Sequence, residues 1–363
     1  MAKIAVFGHK HIYSEEGGIE VVVTELAKRL CKEHDLTVFE RAELDKPKRT
    51  YPLRGRPAIR LSPTLSDSRL NAILSCFFSS LRAAAGDYRT VHIHAEGQCA
   101  FLPMIKKGGK KVVVTVHGLD WQRAKWGGFA SSFIKFSEEQ MVKHADEIIV
   151  LSEGLQKYFL DEYGRETILI ENGITPKPDH GHEELDRFGL TPGEYILYLG
   201  RIVPEKRLDL LVNAFRLNPM GKKLVIAGEF PSGSEEAGLW GKEPDIILTG
   251  FAGGKLKQQL LTNCGLFVLP SDLEGQSIAL LEALSCGAPC LVSDIPENRE
   301  ILGEFGATFK AGDLKSLTEA LGMFGKIRAG AEQVEYIKSL HNWDLVADKT
   351  GEVLCRKETK EEK

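Results

Sequence analysis

The segment Pro270 to Ile301, PSDLEGQSIALLEALSCGAPCLVSDIPENREI, carries two glutamates, Glu274 and Glu282, with seven residues between them and a helix start in the gap. An ionised carboxylate accepts strong, directed hydrogen bonds from paired hydroxyls, which suits a sugar ring or a ribose. Ser277 is of a type that caps helices, and the amide hydrogens of Ser277 and Ile278, at the positive end of the helix dipole, form a site for a diphosphate. Gly275 lets backbone come close to such a group. A second segment, LGRIVPEKRLDLLVNAF from Leu199 to Phe215, puts Arg201 after a strand and Lys206 before a helix. Two cations there would neutralise a diphosphate at the carboxyl edge of a sheet. Read singly, Glu274 would be a surface loop residue, Glu282 an exposed helix position and Lys206 a surface partner of Glu205; the coincidence of the two segments favours a site.

The first half holds further signals. In EEGGIEVVVTELAKRL, Gly17 and Gly18 stand just ahead of a helix, where bare backbone and a helix start favour a phosphate or a sugar, or where the pair merely shapes a turn. The run TVHGLDWQRAKWGG, Thr115 to Gly128, packs His117, Asp120, Trp121, Arg123, Lys125 and Trp126 into one loop after a buried strand. So dense a mixture of polar and aromatic side chains suggests carbohydrate. Asp120, Trp121 and Arg123 are candidate acceptor contacts, as are His94 and Glu96 in HIHAEG at another strand end; the alternative is that aspartate and tryptophan only fix the loop shape.

These residues need sheets to hold them. Lys3 to Phe7 reads as a buried strand, Val21 to Leu30 as an amphipathic helix and Leu36 to Phe39 as the next strand, a βαβ opening. Strands at Val91 to His94, Val112 to Val116, Ile148 to Leu151 and Ile168 to Ile170, with a helix at Phe129 to Val142, argue for a parallel sheet covered on both faces. After the proline-bearing linker ITPKPDHG the rhythm restarts. Strands are expected at Tyr195 to Leu199, Leu224 to Ala227, Ile246 to Thr249, Leu266 to Leu269 and Pro289 to Val292, with helices at Arg207 to Phe215, Leu256 to Leu261 and Ser277 to Ser285. The expectation is an α/β protein of two Rossmann-like, doubly wound parallel-sheet domains facing a central cleft: residues 1–172 with a returning helix in 343–363, and residues 173–342.

Composition narrows the function. With 47 basic and 51 acidic residues in 363, a net charge of −4, the chain has no general attraction for nucleic acid. MAKIAVFGHK lacks the pattern of a signal peptide and no apolar run reaches the roughly 18 residues of a membrane span, so a cytoplasmic protein is expected. The seven cysteines are scattered among apolar neighbours and read as buried small hydrophobes, not metal ligands. From Arg41 to Arg69, Arg41, Lys46, Lys48, Arg49, Arg54, Arg56, Arg60 and Arg69 outweigh Glu43, Asp45 and Asp67. The amphipathic, aromatic-bearing RLNAILSCFFSSLRAAAG follows, so the region reads as a membrane-surface contact or as a core-facing helix beside a solvated basic loop.

The paired glutamates Glu274 and Glu282, with Arg201 and Lys206 upstream, resemble the signature of retaining glycosyltransferase family 4, the glycosyl transferases group 1 of the GT-B fold, over most of the chain. The resemblance implies that Glu274 holds donor-sugar hydroxyls, that Glu282 binds the ribose, and that Arg201 and Lys206 stabilise the leaving nucleoside diphosphate. Phe251 and Ala252 in GFAG resemble the turn that reads the nucleobase, though a plain strand-to-helix turn would look the same. His117 resembles the histidine that contacts the donor sugar near the reacting carbon, and the loop around it resembles a bacterial subgroup of rhamnosyl- and glucosyltransferases that build capsule and exopolysaccharide. The implied activity is retaining transfer of a hexose or deoxyhexose from a nucleotide sugar such as a UDP-sugar. The implied acceptor is a glycan or a glycan on a polyprenyl diphosphate, at the inner face of the plasma membrane. No metal or other cofactor is implied, and no Asp-any-Asp motif occurs. An epimerase or hydrolase of the same fold, and a silent nucleotide-sugar-binding subunit, are the alternatives.

Overall fold

A computed structural model of the protein describes residues 1–15, 17–43, 57–65, 68–122, 128–231, 233–327 and 329–356. It divides into two compact units, Met1–Gly173 with Trp343–Lys363, and Ile174–Asn342.

The first unit runs β1 (Lys3–Phe7), α1 (Gly18–Leu30), β2 (Asp35–Glu43), β3 (Ala58–Thr64), α2 (Ser68–Ala85), β4 (Thr90–His94), α3 (Leu102–Lys107), β5 (Lys111–Val116), α4 (Gly128–His144), β6 (Glu147–Val150), α5 (Glu153–Tyr163) and β7 (Ile168–Leu169). The seven strands pair in the order β3-β2-β1-β4-β5-β6-β7, every pair parallel. β4 and β5 are buried at every residue, which is why they read as continuous apolar runs and not as alternations. Phe7, Phe39, Ile93, Val114, Met141 and Phe159 fill the core.

The second unit runs α6 (Glu183–Asp186), β8 (Tyr195–Leu199), α7 (Leu208–Leu217), β9 (Lys223–Ala227), α8 (Glu235–Trp240), β10 (Ile246–Gly250), α9 (Gly254–Asn263), β11 (Leu266–Leu269), α10 (Ile278–Ser285), β12 (Cys290–Ser293), α11 (Pro296–Leu302), β13 (Ala307–Phe309), α12 (Leu314–Leu321) and α13 (Ala331–Leu340). Its six strands are ordered β10-β9-β8-β11-β12-β13, again all parallel. A last helix, α14 (Trp343–Cys355), belongs to the first unit: Thr90 Oγ1 donates to the Leu354 carbonyl at 3.0 Å, and Lys111 Nζ to that of Val353 at 2.6 Å. In each sheet the strand order reverses beside the first strand, between β1 and β4 and between β8 and β11. The expected pair of Rossmann-like sheets is therefore present, and each has its ligand-binding crevice position at that reversal.

Strands β3 and β13 were not anticipated. β3 carries Pro63, which is tolerated at the sheet edge, where it stands opposite Ala42. The helix α2 turns the opposite way from a core-facing amphipathic helix. Asn71, Ser75, Cys76, Ser79, Ser80 and Ala83 are its buried face, while Ile73, Leu74, Phe77 and Phe78 are half-buried and Leu81 is 44% exposed. Hydroxyls hold it there: Ser79 and Ser62 share a hydrogen bond of 2.8 Å, and Thr64 Oγ1 donates to the Asn71 carbonyl at 2.8 Å. Of the basic stretch, Arg41 lies on β2 and Arg60 on β3; residues 44–56 and 66–67 lie outside the described residues, with Lys46, Lys48, Arg49, Arg54 and Arg56 among them.

Candidate active site

In the second unit the loops after β8 and β11, neighbours at the strand-order reversal, carry the residues singled out for the donor. β8 ends at Leu199; Arg201 follows, exposed, with its carbonyl held by the Tyr198 hydroxyl at 2.8 Å. One turn of 3₁₀-helix, Pro204–Lys206, then presents Lys206, which forms an ion pair with Glu274 from the loop after β11. The Lys206 side chain is 14% exposed and that of Glu274 7%, so the pair is largely withdrawn from water, where charges attract more strongly than at the surface. Ser271 Oγ also donates to Glu274, at 2.6 Å. Burial, and the charge of Glu274 after it, push the Tyr198 hydroxyl far up, so it stays a neutral donor beneath the site.

Ser277 caps α10, its hydroxyl accepting from the Leu280 amide at 3.4 Å. Gly275 and Ile278 on either side are half-buried. Glu282, one turn on, pairs with Lys257 of α9 at 2.9 Å, with the two side chains 23% and 18% exposed. That contact ties α10 to the helix that starts just after the GFAG turn, where Phe251 is 49% exposed and Ala252 is buried. Sequence reasoning did not single out Lys257, which looks like any solvent-facing helix lysine until α10 is beside it. It also passed over Arg207. This residue sits at φ +49° ahead of α7 and pairs with Asp272 at 2.7 Å, fastening the loop after β8 to the loop after β11. Glu297 at the start of α11 was missed too; burial first, and then the charge of Glu274, raise its carboxyl.

In the first unit, Gly17 precedes α1 in extended backbone, with Gly18 the first helical residue. The Glu20 carboxylate folds back beside Gly17 and accepts from the Lys10 amide at 3.0 Å, so this helix start already has an acidic neighbour. His94 ends β4, and Glu96, His117, Asp120 and Trp121 lie in the connections after β4 and β5; Arg123 lies outside the described residues. His94 is fully buried, with Nδ1 3.0 Å from His117 Nε2. Glu96 is fully buried as well and accepts from the Asp120 amide at 3.2 Å. Trp121 donates its indole N–H to Glu138 of α4 at 3.0 Å, and the Lys135 ammonium stands 4.7 Å from the centre of its ring. His94, Glu96 and Trp121 are thus each engaged in at least one bond within the first unit.

With this geometry in view, the comparisons with known proteins are specific. Residues 16–177 match the family described as Glycosyltransferase Family 4, and residues 193–324 match Glycosyl transferases group 1. The chain belongs to the family 4, group 1 glycosyltransferases. Among curated proteins it is 28% identical over 144 residues to the O-antigen chain mannosyltransferase B of Escherichia coli, a match that covers 37% of each chain. The chain thus spans little more than a third of that relative's length. Among solved structures it resembles the sucrose-phosphate synthase of Thermosynechococcus elongatus, with a TM-score of 0.81, 18% identity and coverage of 97% and 98% of the two chains. It also resembles Anabaena HepE in complex with UDP-glucose, with a TM-score of 0.78, 15% identity and coverage of 97% and 99%. Likeness at that identity establishes the GT-B fold for this family 4 member. Its two family matches meet the two units, one each, and the second encloses every donor-side residue from Arg201 to Glu282.

Proposed function

We propose that this protein transfers a hexosyl or deoxyhexosyl group from a nucleoside diphosphate sugar to a glycan or lipid-linked glycan, with retention of anomeric configuration and without a divalent metal. The observation that carries the reading is the meeting of Lys206 with Glu274 at the reversal between β8 and β11, beside Arg201 and the capped start of α10. A cation next to a carboxylate suits a substrate whose phosphates and sugar hydroxyls are joined at one carbon. As the glycosidic bond to phosphate breaks, Lys206, Arg201 and the α10 amides take up the growing charge, while Glu274 holds hydroxyls of the sugar. In this reading a donor phosphate oxygen receives the acceptor proton, and Glu282 and the Phe251–Ala252 turn hold the nucleoside. The printed activities of the relatives, mannosyl transfer and binding of UDP-glucose, make a mannosyl and a glucosyl donor the first to try.

The acceptor reading includes a visit to the cytoplasmic membrane surface. The half-buried Ile73, Leu74, Phe77 and Phe78 and the exposed Leu81 on α2 support it, with the basic excess between Arg41 and Arg69 beside that helix in sequence. Among the described residues no helix is long and apolar enough to cross a bilayer, so any attachment through them is to its surface.

Calorimetry against a panel of UDP-, GDP-, ADP- and dTDP-linked hexoses identifies the donor, and transfer to a glycan acceptor is then followed with and without EDTA. Lys206→Ala and Glu274→Ala are expected to lower turnover by about a hundredfold or more, the scale of losing one charge-stabilising group. Full transfer by either variant overturns the assignment. Loss of transfer in EDTA overturns metal independence, an inverted product by NMR overturns retention, and turnover of donor alone with no acceptor product favours a hydrolase or epimerase.

A further inference from the structure

Behind His117 in the first unit lie two buried imidazoles, His92 and His94, to which the donor chemistry above gives no part. His92 and His94 lie on one face of β4 with ring centres 4.2 Å apart, and the His94 and His117 rings are stacked within 28° of parallel. His94 Nδ1 is 3.0 Å from His117 Nε2, and His92 Nε2 is 2.8 Å from Thr115 Oγ1. The other His94 nitrogen, Nε2, is buried with no hydrogen-bond partner among the described residues. The backbone around the ring is tightly held. Ala95, next in the chain, has φ +75°, and Gly8 lies so close that a Cβ on it would fall 2.0 Å from the His94 carbonyl oxygen. Burial, and then the neighbouring rings of His92, His117 and His9, hold the His94 imidazole well below the usual histidine range, so it is neutral and has one proton to place.

Two placements exist. On Nε2 the proton would make a buried N–H donor with nothing to accept it, the rarest kind of polar orphan. On Nδ1 it is used in the bond to His117, and only a lone pair is left unmatched. A proton on His117 Nε2 is disfavoured by the same logic, because it would drive the His94 proton back to the orphaned nitrogen. We infer that His94 is the Nδ1–H tautomer, that it donates to His117 Nε2, and that it thereby holds His117 as the Nδ1–H tautomer. His117 then faces its surroundings through a donating N–H. Such a ring gives a hydrogen bond to a hydroxyl or carbonyl oxygen and does not remove a proton at that atom. The consequence rests on the reading of His117 as a sugar contact: it makes His117 a donor to a sugar oxygen and no general base, with His94 as its positioning residue.

The test is a long-range ¹H–¹⁵N correlation spectrum of the full chain labelled with ¹⁵N-histidine, assigned with His94→Asn and His117→Asn. Both rings are expected to show a protonated Nδ1 and a bare Nε2. A protonated Nε2 on either ring overturns the inference. With a donor in hand, His94→Leu is expected to lower kcat by about tenfold, the scale of one hydrogen bond, with little change in donor KM. His94→Asn, whose amide can sit where Nδ1 does, is expected to restore most of the loss. Unchanged kcat in His94→Leu overturns the positioning role. The spectrum needs no substrate, so the tautomer is tested even where no donor is found. Full transfer by His117→Ala with the tautomers as inferred would instead sink the sugar-contact reading alone.

Discussion

Glu138 gathers Trp121 Nε1 at 3.0 Å, Lys135 Nζ at 2.9 Å, the Tyr158 hydroxyl at 2.8 Å and the Tyr163 hydroxyl around one buried carboxylate. Nothing in FIKFSEEQMVKH marks it, since a glutamate on a helix is ordinarily solvated; only packing decides that this one is the floor of the loop. Its neighbour Glu96 is raised well above the ordinary carboxylate range, by burial first and then by the charges of Asp120 and Glu138. Below the unfolded value near 4.5 the proton is bound in both states. As pH rises the unfolded chain releases it while the folded chain keeps it, so stability falls with pH through that window. Glu96→Gln, neutral at every pH, is therefore expected to be more stable than the parent by a margin that widens from about pH 5 to about pH 8. Thermal melts at the two pH values check this, and a constant or shrinking margin counts against it. Lys206 and Glu274, by contrast, were legible in sequence because each sits within a few residues of a strand end and a helix start. Their pairing was not, since it depends on β8 lying beside β11.

Among the elements, the strands β1, β8 and β11 stand where the apolar runs put them, β3 and β13 were not anticipated, and the others differ by one or a few residues at their ends. What sequence could not weigh was the environment of each element. Pro63 stands in a strand only because β3 is at the sheet edge. Sequence left α2 open between a membrane-surface helix and a core-facing one; its serines pack inward, because Ser62 and Thr64 on β3 offer partners. Close approach of loops is also decided here. A Cβ on Gly228 would fall 2.2 Å from the Gly200 carbonyl oxygen, and Gly8 combines a similar clash against His94 with φ +118°. Gly8→Ala is expected to cost about 3 kcal/mol, from backbone strain and overpacking together. Urea unfolding would read it, and a loss under about 0.5 kcal/mol would show that the loop gives way freely.

At the scale of the whole molecule, the return of α14 to the first unit joins the two ends of the chain in one core. Trp343, Val346, Ala347, Val353 and Leu354 are buried, and the Arg29–Asp344 pair at 2.6 Å closes the edge. Deleting residues from 343 onward is expected to remove on the order of 10 kcal/mol of apolar burial, comparable to the full stability of a domain. Hydrogen exchange should then show protection lost across Met1–Gly173 and kept in Ile174–Asn342. Uniform loss across both units would contradict that division. Acid has a related effect: burial depresses His9 and His92 to about 3, so each contributes stability above the unfolded value of 6.5 that is lost as pH falls. The slope is about 1.4 kcal/mol per pH unit for each ring, and His92→Gln should flatten the pH dependence of the melting temperature below about pH 6. By itself the sequence determined the two parallel sheets, the rhythm of their elements and the family, because apolar periodicity, caps and motif spacing are local along the chain. The tertiary structure alone decided which carboxylates and imidazoles are buried, paired or neutral, because those states depend on groups far apart in sequence and on the water that packing excludes.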